Sequence, residues 1–317
     1  MSDLRQRRVR TNGIWMNIAE KGRGPLVLLL HGFPQLWFSW NYQITQLAKH
    51  GYRVVAPDMR GYGDTDAPPD PASYTVIHLV GDIIGLLDEL GEERAFVVGH
   101  DWGAEVAWYL SLFRPDRVRA VVSLGVPFRP YVAVKPMEMI TKMYGAGFFL
   151  SQFQEPGRAE KAFSRYDCLT VMKKFLLIDA PDHETAPPGV EFIDFLDTPI
   201  SLPPWITEEE LIFSASKFRK SGFTGPLNYF RAMDLNWEFL KPWQGAKITV
   251  PAKLIIGDKD VWFHTFGTKE YMEKGAYKNF VPNLEVVFID GHRHIQQEKA
   301  EEVTHEILSF FNDPSLM

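Results

Sequence analysis

The 317-residue chain predicts an α/β fold, a mostly parallel sheet flanked by helices with a helical cap inserted. Three observations carry that expectation. Short, uninterrupted apolar runs recur along the chain, as strands buried on both faces require. Helical patterns separate the early runs, and this alternation implies parallel strands with crossover helices. From about residue 128 to 247 the rhythm stops, and it resumes at Ala252.

The elements follow in order. Residues 8–19 read as a hairpin around Asn12-Gly13, a pair that readily takes positive φ. Leu26-Val27-Leu28-Leu29-Leu30 is apolar throughout and of strand length. Residues 53–56, 95–98, 118–124, 252–256 and 284–289 read the same way, and helical patterns cover 42–49, 76–90 and 104–113. The stretch 128–247 is rich in Phe, Met, Trp and Pro and has no clear strand pattern. It is expected to form a helical cap domain, with 1–127 and 248–317 forming the core. Open α/β sheets bind ligands beyond the carboxyl ends of their strands, so a cap placed there would enclose a dry pocket.

Composition narrows the partners. Hydrophobic residues make up 45% and aromatics 14% of the chain, ample for a core and an apolar pocket. A net charge of −6 argues against nucleic acid or an anionic membrane surface. The single cysteine, Cys168, excludes internal disulfides and fits a reducing compartment. The first residues lack the apolar stretch of a signal peptide, and no run approaches a membrane span of ~20 residues. A cytoplasmic location is expected. Ser315-Leu316-Met317 is a loose relative of a peroxisomal address, without its middle basic residue. Metal-ligand spacing and Gly-rich phosphate loops are absent, so no cofactor is expected. The expected partner is a small apolar substrate, bound by a monomer or homodimer.

The most informative segment is Val97-Val98-Gly99-His100-Asp101-Trp102-Gly103-Ala104. It reads Gly-x-nucleophile-x-Gly between a strand run and a helix run, with a carboxylate where such elbows usually hold serine. Small residues two before and two after the turn let strand and helix backbones meet. The tip residue then projects at a helix N-terminus, which favours an anion. Aspartate is ionised at neutral pH and attacks a saturated carbon directly. Around it stand His31-Gly32-Phe33-Pro34, whose backbone N–H at Phe33 can join that of Trp102 in holding negative charge. Asp58-Met59-Arg60-Gly61-Tyr62-Gly63, Gly257-Asp258-Lys259-Asp260 and Gly291-His292-Arg293-His294 follow. The order nucleophile, acid, histidine is that of α/β-hydrolases.

With these motifs the whole chain resembles the soluble epoxide hydrolases, particularly the plant type. Ala19-Glu20-Lys21-Gly22, Phe153-Gln154-Glu155-Pro156-Gly157 and Leu227-Asn228-Tyr229-Phe230-Arg231 add to the resemblance, which runs nearly end to end. It implies that a carboxylate at Asp101 attacks an oxirane carbon and forms an ester. Two cap tyrosines assist the departing oxygen, and a histidine oriented by an acid at Asp260 activates water to cleave the ester.

Several positions depart from that pattern. The family tyrosine four residues before Phe153 falls on Phe149, and the second falls on Phe230. Tyr229 precedes Phe230, but one residue along a helix turns a side chain by about 100°. Tyr144 is another phenol within the same stretch. Counting back from Gln297-Glu298 puts the histidine at Arg293, whereas counting forward from Gly291 puts it at His294; His292 is a third candidate. An arginine cannot serve as a base at neutral pH.

Candidate catalytic residues are therefore Asp101, Asp260, His294 and His292, with backbone donors at Phe33 and Trp102. Pocket candidates are Phe149, Phe230, Tyr229, Tyr144 and Arg293. The leading expectation is an enzyme repurposed for elimination, cyclisation or isomerisation through Asp101. A conventional hydrolase using His294 and Asp260, with phenols from Tyr229 and Tyr144, is the alternative. A non-catalytic binding protein is a further one. A carbon–halogen hydrolase is disfavoured: His31-Gly32-Phe33-Pro34-Gln35 resembles fluoroacetate dehalogenases, but those carry Arg where Trp102 stands.

Overall fold

A computed structural model describes residues 3–176 and 184–313. Its sheet has eight strands: β1 (Arg5–Thr11), β2 (Ile14–Lys21), β3 (Leu26–Leu30), β4 (Arg53–Pro57), β5 (Ala95–His100), β6 (Val118–Leu124), β7 (Ala252–Gly257) and β8 (Leu284–Ile289). They lie in the order β1-β2-β4-β3-β5-β6-β7-β8. β1 and β2 form the antiparallel hairpin expected at Asn12-Gly13, and β2 also runs antiparallel to β4. Every pairing from β4 through β3 to β8 is parallel. The central strands β3 and β5 are buried along their whole length, the physical reason for their continuous apolar sequences.

Helices Asn41–Lys49, Val76–Glu89, Trp102–Phe113 and Ala300–Phe311 cover the faces of the sheet. Val76–Glu89 starts where Thr75 caps it, its side chain accepting the His78 N–H. Between β6 and β7 the described residues form helices, from Pro136–Tyr144 to Met233–Leu240, and one isolated bridge between Phe148 and Thr185. Helix Glu208–Ser221 carries the most complete start signal among them, a reciprocal capping box between Thr207 and Glu210.

A strip of polar contacts between residues 60 and 76 helps fasten this helical segment to the sheet unit. The Tyr229 hydroxyl donates to the Arg60 carbonyl at 2.8 Å, and the Asn228 amide donates to the Pro69 carbonyl at 3.2 Å. The Val76 N–H donates to Asn236 Oδ1 at 2.7 Å. Asp64 pairs with both Lys217 and Lys220. No helix among the described residues is long and apolar enough to cross a membrane. The terminal Ser315-Leu316-Met317 lies outside the described residues.

Candidate active site

β5 ends at His100, and helix Trp102–Phe113 begins one residue later. Asp101 joins them at φ 55° and ψ −123°, a conformation rare for any residue with a side chain. The two flanking glycines make the turn possible. A Cβ at Gly99 would lie 2.3 Å from the Gly103 carbonyl oxygen, and one at Gly103 would lie 2.1 Å from that of Leu30. The carboxylate thus sits at the positive end of a twelve-residue helix and looks into a cavity of about 360 Å³.

The cavity is walled by aromatic rings. Phe33 and Trp102 come from the sheet unit, and Phe149, Phe153, Phe175, Phe192 and Phe230 from the helical segment. Phe230 packs edge-on against Trp102 at 5.3 Å and against Phe33 at 5.4 Å. Phe149 lies 6.3 Å from Phe230 and 4.8 Å from Trp262, centroid to centroid. Both phenylalanines therefore occupy the wall above Asp101 and bring no hydrogen-bond donor to it.

The Asp101 carboxylate is held from two sides. The Phe33 N–H donates to Oδ1 at 2.8 Å. Arg293 Nη2 donates to Oδ2, and Arg293 Nη1 reaches Asp260 Oδ2 at 3.3 Å. One guanidinium therefore bridges two carboxylates. Asp260 is almost wholly buried, so desolvation pushes its carboxyl upward, while Arg293 and the Trp262 N–H pull it back. The Arg293 guanidinium also lies over the Trp262 ring at 5.3 Å.

Behind the site, histidines act as structural hydrogen-bonding groups. His100 Nε2 donates to the Arg293 carbonyl at 3.0 Å and fixes the backbone that carries the guanidinium. Burial lowers the His100 pKa to about 3, so this ring is neutral. His31 is also buried and lowered to about 4; its Nε2 accepts the Met59 N–H at 2.9 Å.

Each sequence-predicted residue has a definite place. Asp101, Phe33, Trp102, Phe149, Phe230, Arg293 and His294 all line the cavity, and Asp260 lies directly behind Arg293. The Trp102 N–H, expected beside that of Phe33, makes no hydrogen bond among the described residues. Three positions differ from expectation. His292 is half-exposed and bonded to Glu298 at 3.0 Å, away from the cavity, because the chain turns outward before Arg293. Tyr229 is fully buried against the sheet unit, its hydroxyl spent on the Arg60 carbonyl; the helix turn that directs Phe230 inward directs Tyr229 away. Tyr144 stacks on Phe148 at 4.5 Å and accepts the Phe266 N–H at 3.0 Å, outside the cavity wall.

His294 reaches the cavity with its Nδ1 buried and unpartnered. Desolvation and the positive Arg293 hold its pKa well below the ordinary value, so it is a neutral imidazole. Its nearest ring neighbours are His100 at 5.6 Å and Trp205 at 5.9 Å. The acid–histidine contact expected at Asp260 is thus an acid–arginine contact.

Sequence reasoning missed two carboxyls. Glu105, on the first turn of the elbow helix, lines the cavity, and burial pushes its pKa to about 7. Its signal was legible: a single acid in a helix otherwise made almost entirely of apolar and aromatic residues. Glu184 accepts the Thr265 hydroxyl at 2.6 Å near Asp260 and Arg293 and is likewise pushed to about 7. Nothing in its sequence neighbourhood points to that placement.

A mostly parallel sheet, an Asp-tipped elbow at its carboxyl edge and a helical segment over it define an α/β-hydrolase. Residues 25–300 match the family model described as the alpha/beta hydrolase fold. Epoxide hydrolase 1 of Siraitia grosvenorii is 50% identical over 313 residues, covering 98% of this chain and 99% of that one. Epoxide hydrolase A of Mycobacterium tuberculosis is 40% identical, with 96% of each chain covered. The crystal structure of an epoxide hydrolase from Vigna radiata superposes with a TM-score of 0.91 at 46% identity, covering 98% of both chains. The chain belongs to the epoxide hydrolase family.

Proposed function

We propose that this family member acts on a small apolar substrate through Asp101 without hydrolysing it, in a cyclisation, elimination or isomerisation. The observation that carries the reading is Arg293, whose guanidinium bridges Asp101 and Asp260. Epoxide hydrolysis through an ester needs a base to activate water, and arginine stays protonated at any working pH. It also needs a donor at the departing oxygen, worth roughly 10²–10⁴ in rate. The cavity wall above Asp101 is Phe149 and Phe230. An Asp101 carboxylate bonded by the Phe33 N–H and by Arg293 suits other chemistry. It can take a proton, or steady a developing positive charge, among the aromatic rings of the cavity. Residues 128–247 act in this reading as a lid domain.

A second reading is conventional hydrolysis. The names of relatives sharing half of this sequence favour it. His294 would be its base, acting without an acid partner.

Turnover in H₂¹⁸O separates the two. Ester hydrolysis transfers water oxygen into the attacking carboxylate, so repeated turnover of styrene oxide would make the peptide containing Asp101 heavier. Our reading expects no diol and no mass gain in the wild-type protein. It expects both in Phe149→Tyr/Phe230→Tyr/Arg293→His. Rapid diol formation with label in wild-type Asp101 would overturn it.

A further inference from the structure

Glu105 is the one carboxyl besides Asp101 among the described residues lining the cavity. The two stand one helical turn apart at the same elbow, the Glu105 N–H donating to the Asp101 carbonyl at 3.1 Å. Their surroundings are opposite. Asp101 has a guanidinium and a backbone N–H on its carboxylate. The Glu105 carboxyl makes no hydrogen bond among the described residues. Arg129, the nearest positive charge, is committed elsewhere: its guanidinium bonds the Phe266 carbonyl and the Thr268 hydroxyl and lies 5.4 Å from the Phe266 ring. Glu105 therefore presents an unengaged oxygen pair to the cavity.

We propose that Glu105 is a catalytic proton donor working opposite Asp101, and that the substrate is a small apolar epoxide carrying its own hydroxyl. The proposal rests on the non-hydrolytic reading above. In a family of epoxide hydrolases, a site whose wall above Asp101 is Phe149 and Phe230 still needs a proton for the oxygen that leaves the ring. Tyr109 and Tyr131 also line the cavity, but both phenols are far weaker acids than a carboxyl, and Tyr109 is raised further by burial. Asp101 takes the proton of the substrate hydroxyl, and that oxygen's electron pair forms a bond to one oxirane carbon. The oxirane C–O bond breaks toward its oxygen, which takes the proton of Glu105. The product is a cyclic ether alcohol, an isomer of the substrate. Asp101 is left protonated and Glu105 ionised, and a proton passed from the first to the second through a water in the emptied cavity restores both.

Burial supports this division of labour, since it keeps Glu105 neutral up to about pH 7 while Arg129 opposes the shift and Asp101 reinforces it. The other titratable groups around it do not change charge near that pH. Tyr109, one turn further along the helix, is raised far above neutrality, and Tyr271, beside Arg129, is raised to about 12. His294 is neutral, and burial lowers Arg129 from a value so far above neutrality that a guanidinium stays cationic.

Two probes test the assignment. Acetophenone offers a carbonyl acceptor and cannot react, so its binding reports the donor alone. Affinity should be highest below pH 7 and fall above it in the wild-type protein and in Asp101→Asn. The profile should be flat in Glu105→Gln and unchanged in Glu184→Gln, which removes the other carboxyl held near 7. The second probe is a phenyl-substituted γ,δ-epoxy alcohol. Wild type should yield the cyclic ether, with the rate lost above pH 7, and Glu105→Gln should be slower by about 10²-fold or more. Acetophenone binding that is independent of pH in wild type, or a Glu105→Gln rate equal to wild type, overturns the proposal; the first measurement needs no variant to fold. If wild type makes only the triol while the acetophenone profile depends on Glu105, the non-hydrolytic reading and the cyclisation step fail, and the donor assignment stands.

Discussion

Replacing Arg293 by methionine tests the bridge on which the site depends. The guanidinium is mostly buried, with side-chain exposures of 13% for Arg293, 17% for Asp101 and 1% for Asp260. Methionine fills much of the same volume, so the loss is electrostatic rather than a cavity. Asp260 would keep only the Trp262 N–H, and Asp101 only the Phe33 N–H. Removing one partner of a buried pair costs about 3–5 kcal/mol, and the lower end applies because Asp101 faces a cavity that can admit water. In a chain of this length that is a fall of about 5 °C in melting temperature. The deficit has a pH signature. Without Arg293 the Asp260 carboxyl moves further up, so the folded state holds its proton more tightly than the unfolded chain. Stability of Arg293→Met should therefore decline as pH rises above the unfolded carboxylate value, ~3.9, and recover toward pH 5. Adding Asp260→Asn should return most of the loss at pH 7.5. Urea unfolding at pH 5 and 7.5 measures all three proteins. An Arg293→Met variant within about 0.5 kcal/mol of wild type at pH 7.5 would refute the reasoning.

Other outcomes follow from the same geometry. Asp101→Asn should abolish turnover of the epoxy alcohol probe, because an amide neither takes a proton nor steadies a cation; near-normal rates in freshly purified protein, with reversion to Asp excluded by mass spectrometry, would remove Asp101 from the mechanism. Gly103→Ala should fail to accumulate as folded protein or lose several kcal/mol, since its Cβ meets the Leu30 carbonyl at 2.1 Å with backbone on both sides; circular dichroism and melting decide it. Glu105→Gln should be more stable than wild type at pH 8.5. The shift from 4.5 to about 7 costs the folded state up to about 3 kcal/mol above pH 7, at ~1.4 kcal/mol per unit, and nothing below pH 4.5, so the gain should vanish in acid.

The sheet was legible because buried parallel strands leave an unmistakable trace: residues 26–30, 118–124 and 284–289 read from the sequence as the strands observed. The elbow was legible for a stereochemical reason, its two glycines being demanded by backbone contact. Phe149 and Phe230 could be located only through the resemblance to the family, whose two tyrosine positions they occupy; helix periodicity then accounts for Tyr229 turning away. Arg293 was not legible as a bridge. In Gly291-His292-Arg293-His294 the spacing allows three side chains to face the elbow, and only the loop path, with His100 bonded to the Arg293 carbonyl, puts Arg293 on the two carboxylates, leaves His294 on the cavity wall and turns His292 outward. Glu184 escaped notice because its neighbours Thr265, Asp260 and Arg293 are distant in sequence, and electrostatic environments of that kind have no local pattern.

The strip of contacts from Asp64 to Val76 has a consequence for how the molecule comes apart. Its partners, Lys217, Lys220, Asn228, Tyr229 and Asn236, belong to the segment that leaves the sheet after β6 and returns before β7. The bonds of Tyr229 and Asn236 are buried, so opening that seam strands polar groups from both sides at once. The helical segment therefore cannot melt ahead of the sheet without breaking part of the sheet unit's own structure. Heating should give one calorimetric transition rather than two. Amide protons at Val76 and along 227–230 should exchange with solvent as slowly as those of β5, while the exposed apolar rim at Val132, Val134 and Met139 exchanges early.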